Sequence, residues 1–419
     1  MNNRVKHNNL LSRALIYFML LYPFTSSIIT DKLGLSFWSS ADEIVILLLI
    51  GVLLFENKGR LLFNQSGKKY IGLLFVWCVA GIIPMFTRHV APNIIFKGLF
   101  FQIKNYLLFY FVYSTQWKTK HLEKIYKYLK IIYPIIIMLG IVFYLIPSSR
   151  MFDTSDMSSI YNHPGVFATL IIPVGIFAFV MYIEKGNKTN LIVLAVVFIC
   201  LILAGTIKNI VSITAVCGLY LCYTRKRRKY LFIVIAVVGI IIVFPQLYSL
   251  FSVEVIGNIL AENAINRPRW MLWQTGFAIM KDFFPIGSGF GTFATSVSFS
   301  GNYYSDIYEI YGISNRYGFT REDPCFLQDT YWPAVIGETG ITGTICAVLC
   351  IYILLKKTFN YIKKDHTESR PFGIVIFLIF AALTVESLFT STMFGIRSYL
   401  GICLLGIYCS IRRSNEVVI

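Results

Sequence analysis

Long apolar runs separated by short polar segments repeat along most of this chain. Each run is long enough for an α-helix to cross a bilayer with some tilt, or only slightly too short. Runs of this length predict membrane-spanning helices rather than strands or the helices of a soluble domain. The twelve predicted spans lie at about 14–30, 41–55, 70–86, 93–113, 130–147, 164–183, 190–206, 208–224, 230–248, 331–355, 371–390 and 396–411.

One segment departs from this pattern. Between the ninth and tenth spans, residues 248–330 form a long stretch rich in aromatic side chains and arginine. It divides the chain into residues 1–247 with nine spans, the loop 248–330, and residues 331–419 with three spans. Helices of multi-span proteins are usually joined by short loops, so a loop of this length and composition indicates a functional role.

Composition and charge support a membrane protein. Hydrophobic residues make up 56% of the chain and charged residues 14%, which excludes an ordinary soluble domain. The net charge of +17 does not indicate nucleic-acid binding, because most basic residues fall in alternate connecting segments, as the positive-inside rule describes. The pattern predicts an all-α, multi-pass protein of the cytoplasmic (inner) membrane, with both termini cytoplasmic and the long loop outside.

Cysteine usage and repeats narrow the class further. Of the nine cysteines, only Cys325 lies in the outer loop, so no disulfide framework is predicted. No Cys/His spacing resembles a metal site, and no cofactor is expected. A transporter built from two six-span halves would carry its long connection after the sixth span. Here the connection after the sixth span, residues 184–190, is short, which counts against that transporter plan.

Three basic residues on the outer side are candidate anion contacts. Arg267 and Arg269 flank a proline and precede Trp270 and Trp273, and an arginine fork suits phosphate oxygens. The alternative is that both arginines reach lipid headgroups beside an aromatic belt. Lys208 stands between two apolar runs, where it is either a further anion contact or a charge at a helix end that reaches water.

Candidate acids and bases follow the loop. Asp329 closes it, and Glu338 lies at the start of the tenth span, among glycines at three-residue spacing that favour close helix packing. Glu386 lies within the eleventh span, where a carboxylate is a functional candidate by default.

Aromatic side chains in the loop could hold a glycan. Trp273, Tyr303, Tyr304 and Tyr308 offer ring faces and hydrogen-bonding groups, although interfacial anchoring explains such residues equally well. His163, before the sixth span, is a further candidate, and a lone histidine is more often structural than functional.

The order of these motifs resembles the bacterial O-antigen ligase and O-antigen/capsule polymerase superfamily. In that family an arginine and a tryptophan four residues later precede a Pro-x-x-Gly-x-Gly stretch ending in phenylalanine, matched here by Arg269, Trp273 and residues 285–293. Lys208 stands where the family carries a basic residue, usually arginine. The ligase motif at the end of the loop, a histidine followed by Gly-x-x-Gly, is matched by Asp329 and residues 340–343.

The resemblance implies an inverting membrane glycosyltransferase that acts on polyprenyl-pyrophosphate-linked oligosaccharides at the outer face of the membrane. Because aspartate replaces the ligase histidine at position 329, a polymerase of repeat units is favoured over a ligase. Arg269, Asp329 and Glu338 are then catalytic candidates, and Lys208, Arg267 and Arg269 are the pyrophosphate contacts. The lipid bilayer, a chain-length regulator and a flippase are the further partners that such a role implies.

Three other functions stay open from the sequence. A ligase would move finished glycan to a lipid or protein acceptor. A permease or flippase for lipid-linked glycans would place its functional charges in the spans and tolerate changes in the outer loop. A non-catalytic assembly partner would tolerate substitution of Arg269 and Asp329.

Overall fold

A computed structural model describes residues 10–27, 29–30, 34–56, 65–145, 164–224 and 268–416. Fourteen α-helices and no strand are found among these residues. In chain order the helices are α1 Leu10–Ser27, α2 Ala41–Glu56, α3 Gln65–Ile82, α4 Pro84–Thr87, α5 Pro92–Ser114, α6 Thr119–Leu145, α7 Pro164–Lys185, α8 Thr189–Leu203, α9 Ile207–Thr224, α10 Pro268–Asp282, α11 Ile307–Ile310, α12 Tyr331–Lys364, α13 Arg370–Glu386 and α14 Tyr399–Glu416.

Several of these helices suit a membrane. By length and composition, four are long and apolar enough to cross one, namely Gly67–Thr87, Thr119–Val142, Pro164–Lys185 and Tyr331–Lys364. Two shorter apolar helices cover Leu10–Ser26 and Thr189–Leu203. The structure therefore agrees with an α-helical, membrane-embedded protein.

Eleven of the twelve apolar segments in the sequence coincide with helices of the structure. The ninth predicted span, 230–248, lies outside the described residues, as do residues 248–267 of the predicted loop. The second segment, which is the shortest of the predicted spans, forms the 16-residue helix α2.

Helix α12 has packing partners on several other helices and is the longest helix among the described residues. It packs against both α3 and α10. With 34 residues it is much longer than the ~20 that a bilayer requires. Its backbone leaves the helical conformation at Gly340, where φ is +59°, so that residues 331–339 form a separate first segment.

The glycine-rich part of the predicted outer loop fills this break. The backbone N–H groups of Ser288 and Gly289 donate to the carbonyl oxygens of Gly337 and Glu338 at 2.9 and 2.8 Å. The N–H of Thr342 donates to Pro285 O at 3.2 Å. These bonds satisfy backbone groups that the broken helix leaves unpaired.

Arg88, in the turn after α4, also contacts this loop. Its guanidinium donates to Ser288 O at 3.0 Å, forms an ion pair with Asp306 at 3.0 Å, and lies 4.9 Å from the centre of the Phe283 ring. The described part of the loop is thus folded onto the helix ends rather than extended away from them.

Candidate functional site

An open groove lies where α10 begins and the segment before α12 ends. Its volume is about 760 Å³. Pro268 is the first residue of α10, a position where proline loses no helical hydrogen bond, and the next residue, Arg269, faces the groove. The other lining residues are Pro268, Trp270, Trp273, Gln274, Phe277, Phe326, Asp329, Leu388 and Phe389.

The structure brings Arg269 and Asp329 together although they are 60 residues apart in the chain. The Nε–H of Arg269 donates to Oδ2 of Asp329, and the two side chains are 49% and 30% exposed. Among the described residues, no other side chain binds the Arg269 guanidinium or Oδ1 of Asp329. The terminal nitrogens of Arg269 can still bind an anion, and Oδ1 can still accept a hydroxyl proton.

Two further cations act on this pair. Lys208, at the start of α9, lies within electrostatic range of Arg269, Arg397 and Asp329. Arg397 in turn interacts with Asp329 and Glu386. Three cations and two carboxylates therefore share one region at these helix ends, which gives it a positive potential suited to an anionic ligand.

Sequence reasoning missed Arg397. The residue is the second one of the predicted span 396–411, and it was not singled out from the sequence. Its position after Gly395 at the start of a span is the same kind of signal that singled out Lys208.

Of the predicted glycan-binding aromatic residues, the structure brings only Trp273 into the groove. Its ring contacts Phe277, with 5.7 Å between ring centres. Tyr308 is fully buried, and its hydroxyl hydrogen-bonds Ala294 N–H at 2.9 Å and the Ser298 hydroxyl at 2.6 Å. Tyr304 donates to Phe319 O at 2.5 Å. Tyr303 and Tyr304 are half-buried, and burial raises the pKa of both phenols, that of Tyr304 to about 12.

Glu338 is enclosed by the glycine-rich loop. Its side chain is fully buried, and Oε1 accepts hydrogen bonds from Phe293 N–H at 2.9 Å and Thr295 Oγ1 at 3.0 Å. Oε2 accepts a bond from the side-chain amide of Gln102 on α5. The carboxylate joins α12, α5 and the loop and does not line the groove.

Arg267 and His163 lie outside the described residues. Within the part of the chain that the structure describes, no group of three or more His, Cys, Asp or Glu side chains is arranged to hold a metal ion.

Comparison with known proteins gives no assignment. No protein-family model matches the chain, and no curated protein is significantly similar to it. The family resemblance therefore depends on the order of the sequence motifs alone.

Proposed function

We propose that this protein is a membrane glycosyltransferase that polymerises polyprenyl-pyrophosphate-linked oligosaccharide repeat units on the outer face of the cytoplasmic membrane. We further propose that it has about twelve spans, with both termini in the cytoplasm and residues 248–330 outside. Eleven of these spans would be α1, α2, α3, α5 to α9 and α12 to α14. The product would be a surface polysaccharide such as O-antigen, capsule or exopolysaccharide.

The observation that carries the proposal is the Arg269–Asp329 pair at the groove. Arg269 has donors, and Asp329 an oxygen, that no other described residue binds, and the two side chains are in direct contact. A cation can stabilise the anionic leaving group of glycosyl transfer from a pyrophosphate, and a carboxylate can take the proton of the attacking hydroxyl. The motif order of the sequence pointed to both residues, and the fold brings them together.

In the proposed reaction, a hydroxyl of the acceptor repeat unit attacks the anomeric carbon of the donor chain. A new carbon–oxygen bond forms, the hydroxyl proton passes to Asp329, and the bond from the anomeric carbon to the pyrophosphate oxygen breaks. The leaving group keeps the electron pair, and its growing charge is stabilised by Arg269 and Lys208. Attack opposite to the leaving group inverts the anomeric configuration.

The apolar wall of the groove suits the prenyl chain of the substrate. Trp270, Phe277, Leu388 and Phe389 line it and are 52, 49, 45 and 43% exposed. Exposed apolar surface next to a charged pair fits a ligand with a lipid tail and an anionic head.

Glu338 takes a positioning role in this account rather than that of the base. Its buried carboxylate hydrogen-bonds residues 293 and 295 and Gln102, and so holds the loop against α12 and α5. Asp329 is the base because it is the carboxylate that lines the groove.

The test is the size profile of lipid-linked and surface glycan in a strain that lacks the gene, with and without complementation. We expect glycan that stops at one repeat unit in the deletion strain, and a full ladder after complementation with the wild-type gene. Long chains that remain on the polyprenyl carrier would identify a ligase instead. Single repeat units that remain on the cytoplasmic face would identify a flippase.

A further inference from the structure

A second cavity of about 320 Å³ is lined by Gln328, the chain neighbour of Asp329. Residues that are close in the chain line the groove and this second cavity. Asp329 and Phe389 line the groove, whereas Gln328, Thr392 and Arg397 line the second cavity. The groove lining is mostly apolar apart from Arg269, Gln274 and Asp329, and the second cavity is the more polar of the two.

A buried ion pair forms one wall of this cavity. Lys104 Nζ lies 2.8 Å from Oδ2 of Asp42, and the two side chains are 7 and 2% exposed. Tyr399 donates to the same oxygen. Oδ1 of Asp42 has no hydrogen-bond partner among the described residues. A buried carboxylate oxygen without a donor is costly, so a ligand that supplies a hydroxyl would stabilise it.

Arg397 is a further cation in the lining of the same cavity. Among the described residues, no carboxylate lies within 4.0 Å of the Arg397 guanidinium, and no acceptor forms a hydrogen bond with it. Glu386 and Asp329 interact with this guanidinium electrostatically at longer range. Lys104 lies between two carboxylates, 2.8 Å from Oδ2 of Asp42 and 3.7 Å from Oε1 of the more exposed Glu43. Arg397 is therefore the cation of this lining that a ligand anion can bind directly. A guanidinium at the outer end of a span is stabilised by an anion that its planar fork can bind.

The rest of the lining is neutral. Phe101 and Phe394, with ring centres 5.0 Å apart, provide an apolar surface. Gln328 and Thr392 add polar groups beside them. The volume is at the lower end of the range typical of ligand pockets, ~300–1,000 Å³, which suits a small ligand.

We propose that this cavity binds a sugar residue that carries an anionic group, with the anion on Arg397 and a ring hydroxyl on Oδ1 of Asp42. In the proposed function, on which this assignment of role depends, the residue belongs to the acceptor repeat unit and directs its hydroxyl towards Asp329. The anionic group could be a uronic carboxylate or a sugar phosphate, since both offer oxygens to the same fork.

Ligand-observed NMR saturation transfer tests the site without any need for catalysis. The purified full-length protein in lipid nanodiscs is titrated with glucuronate, glucose 1-phosphate, glucose and inorganic phosphate. We expect at least one of the two anionic sugars to bind about tenfold more tightly than glucose and phosphate. Whichever of glucuronate and glucose 1-phosphate binds more tightly identifies the anionic group.

Three variants locate the binding. Arg397→Gln should weaken binding of the preferred sugar at least tenfold, and Gln328→Leu should weaken it severalfold without removing a charge. Gln274→Leu is the matched control, because Gln274 lines the groove instead, and it should leave binding unchanged.

Equal binding of all four probes, or equal binding to the wild type and to both cavity variants, would overturn the proposal. Because the measurement reports binding alone, a polymerase that fails this test remains a polymerase. If the protein binds the sugar but forms no glycan ladder, the proposed function is refuted and the proposed binding site is retained.

Discussion

Asp329 and Arg269 form an ion pair whose side chains are 30 and 49% exposed. A pair this exposed contributes little to the stability of the fold, because water and salt screen it. Its place on the wall of a groove beside Lys208 and Arg397 is therefore better explained by a ligand than by folding.

Substitution of Arg269 should show what its planar fork contributes. Arg269→Ala should lower chain growth by about 100- to 1,000-fold, the usual effect of losing a preorganised donor to a developing negative charge. Arg269→Lys should recover little of it, because a lysine cannot bind both Asp329 and a phosphate through one planar group. Glycan ladders from strains with equal amounts of each protein measure both effects. Arg316→Ala, at an exposed position away from the groove, is the control, and a normal ladder with Arg269→Ala would refute the role.

Asp329→Asn separates base chemistry from ligand binding. The amide keeps the size of the side chain but cannot take the hydroxyl proton, so the rate should fall by roughly 100- to 10,000-fold while the lipid-linked substrate still binds. Single-turnover elongation and substrate binding measure the two properties separately. Asp323→Asn, exposed in the same loop, should match the wild type. Normal elongation by Asp329→Asn would make Asp329 structural.

At the scale of elements, the junction of α12 with the glycine-rich loop fixes the geometry of the site. A Cβ atom on Gly340 would lie 2.6 Å from Gly287 N and from Pro285 O, and the backbone there has φ of +59°. Any larger residue must both adopt a strained backbone and displace the loop.

A pair of alanine substitutions distinguishes these two costs. Gly340→Ala should prevent accumulation of folded protein, or lower its melting temperature far more than Gly301→Ala. Gly301 has the similar φ of +63° but nothing within 4 Å of a built Cβ, so it reports the strain of about 1–2 kcal/mol alone. Equal melting temperatures by fluorescence-detected unfolding would contradict the contact between α12 and the loop.

Glu338 belongs to the same junction. Glu338→Ala would leave the Phe293 N–H and the Gln102 amide without the carboxylate that accepts their hydrogen bonds. Each unpaired buried donor costs about 1–3 kcal/mol, so the melting temperature of the purified protein should fall. The exposed Glu309→Ala serves as the control. An unchanged melting temperature with lost activity would instead give Glu338 a direct part in the chemistry.

The positions of these elements along the chain could be predicted from the sequence better than the contacts between them. The start of α12 at residue 331 agrees with the predicted span, because a long apolar run follows directly. Its break at Gly340 could not be predicted, since glycines at three-residue spacing are equally compatible with an unbroken packed helix. The break depends on hydrogen bonds from a loop some fifty residues earlier in the chain.

The candidate site shows the same division. Arg269, Trp273 and Asp329 were predicted from motif order, and the groove unites them. Tyr308 was chosen for its aromatic ring, but its hydroxyl is bonded within the loop core. Burial of this kind depends on tertiary packing, which a local run of tyrosines does not encode.

At the scale of the whole molecule, two native cysteines report the proposed topology. Cys325, in the segment before α12, and Cys222, near the end of α9, are both exposed. The proposed topology places Cys325 outside and Cys222 at the cytoplasmic face. A membrane-impermeant maleimide should label Cys325 in intact cells and Cys222 only after permeabilisation.

The pH of this labelling matters because desolvation and the neighbouring Asp323 carboxylate raise the pKa of the Cys325 thiol. A raised pKa lowers the thiolate fraction at neutral pH, so labelling should accelerate as the pH rises through and above 8. The variants Cys325→Ser and Cys222→Ser assign each signal. Labelling of Cys222 in intact cells would refute the proposed orientation.

The central claim is that this chain itself joins repeat units through Arg269 and Asp329. The most direct measurement uses purified protein in nanodiscs, supplied with the lipid-linked repeat units extracted from a strain that lacks the gene. The account predicts a ladder of longer lipid-linked glycans with the wild type and single repeat units with Asp329→Asn. An absence of any ladder with active, folded wild-type protein, or an equal ladder with Asp329→Asn, would contradict it.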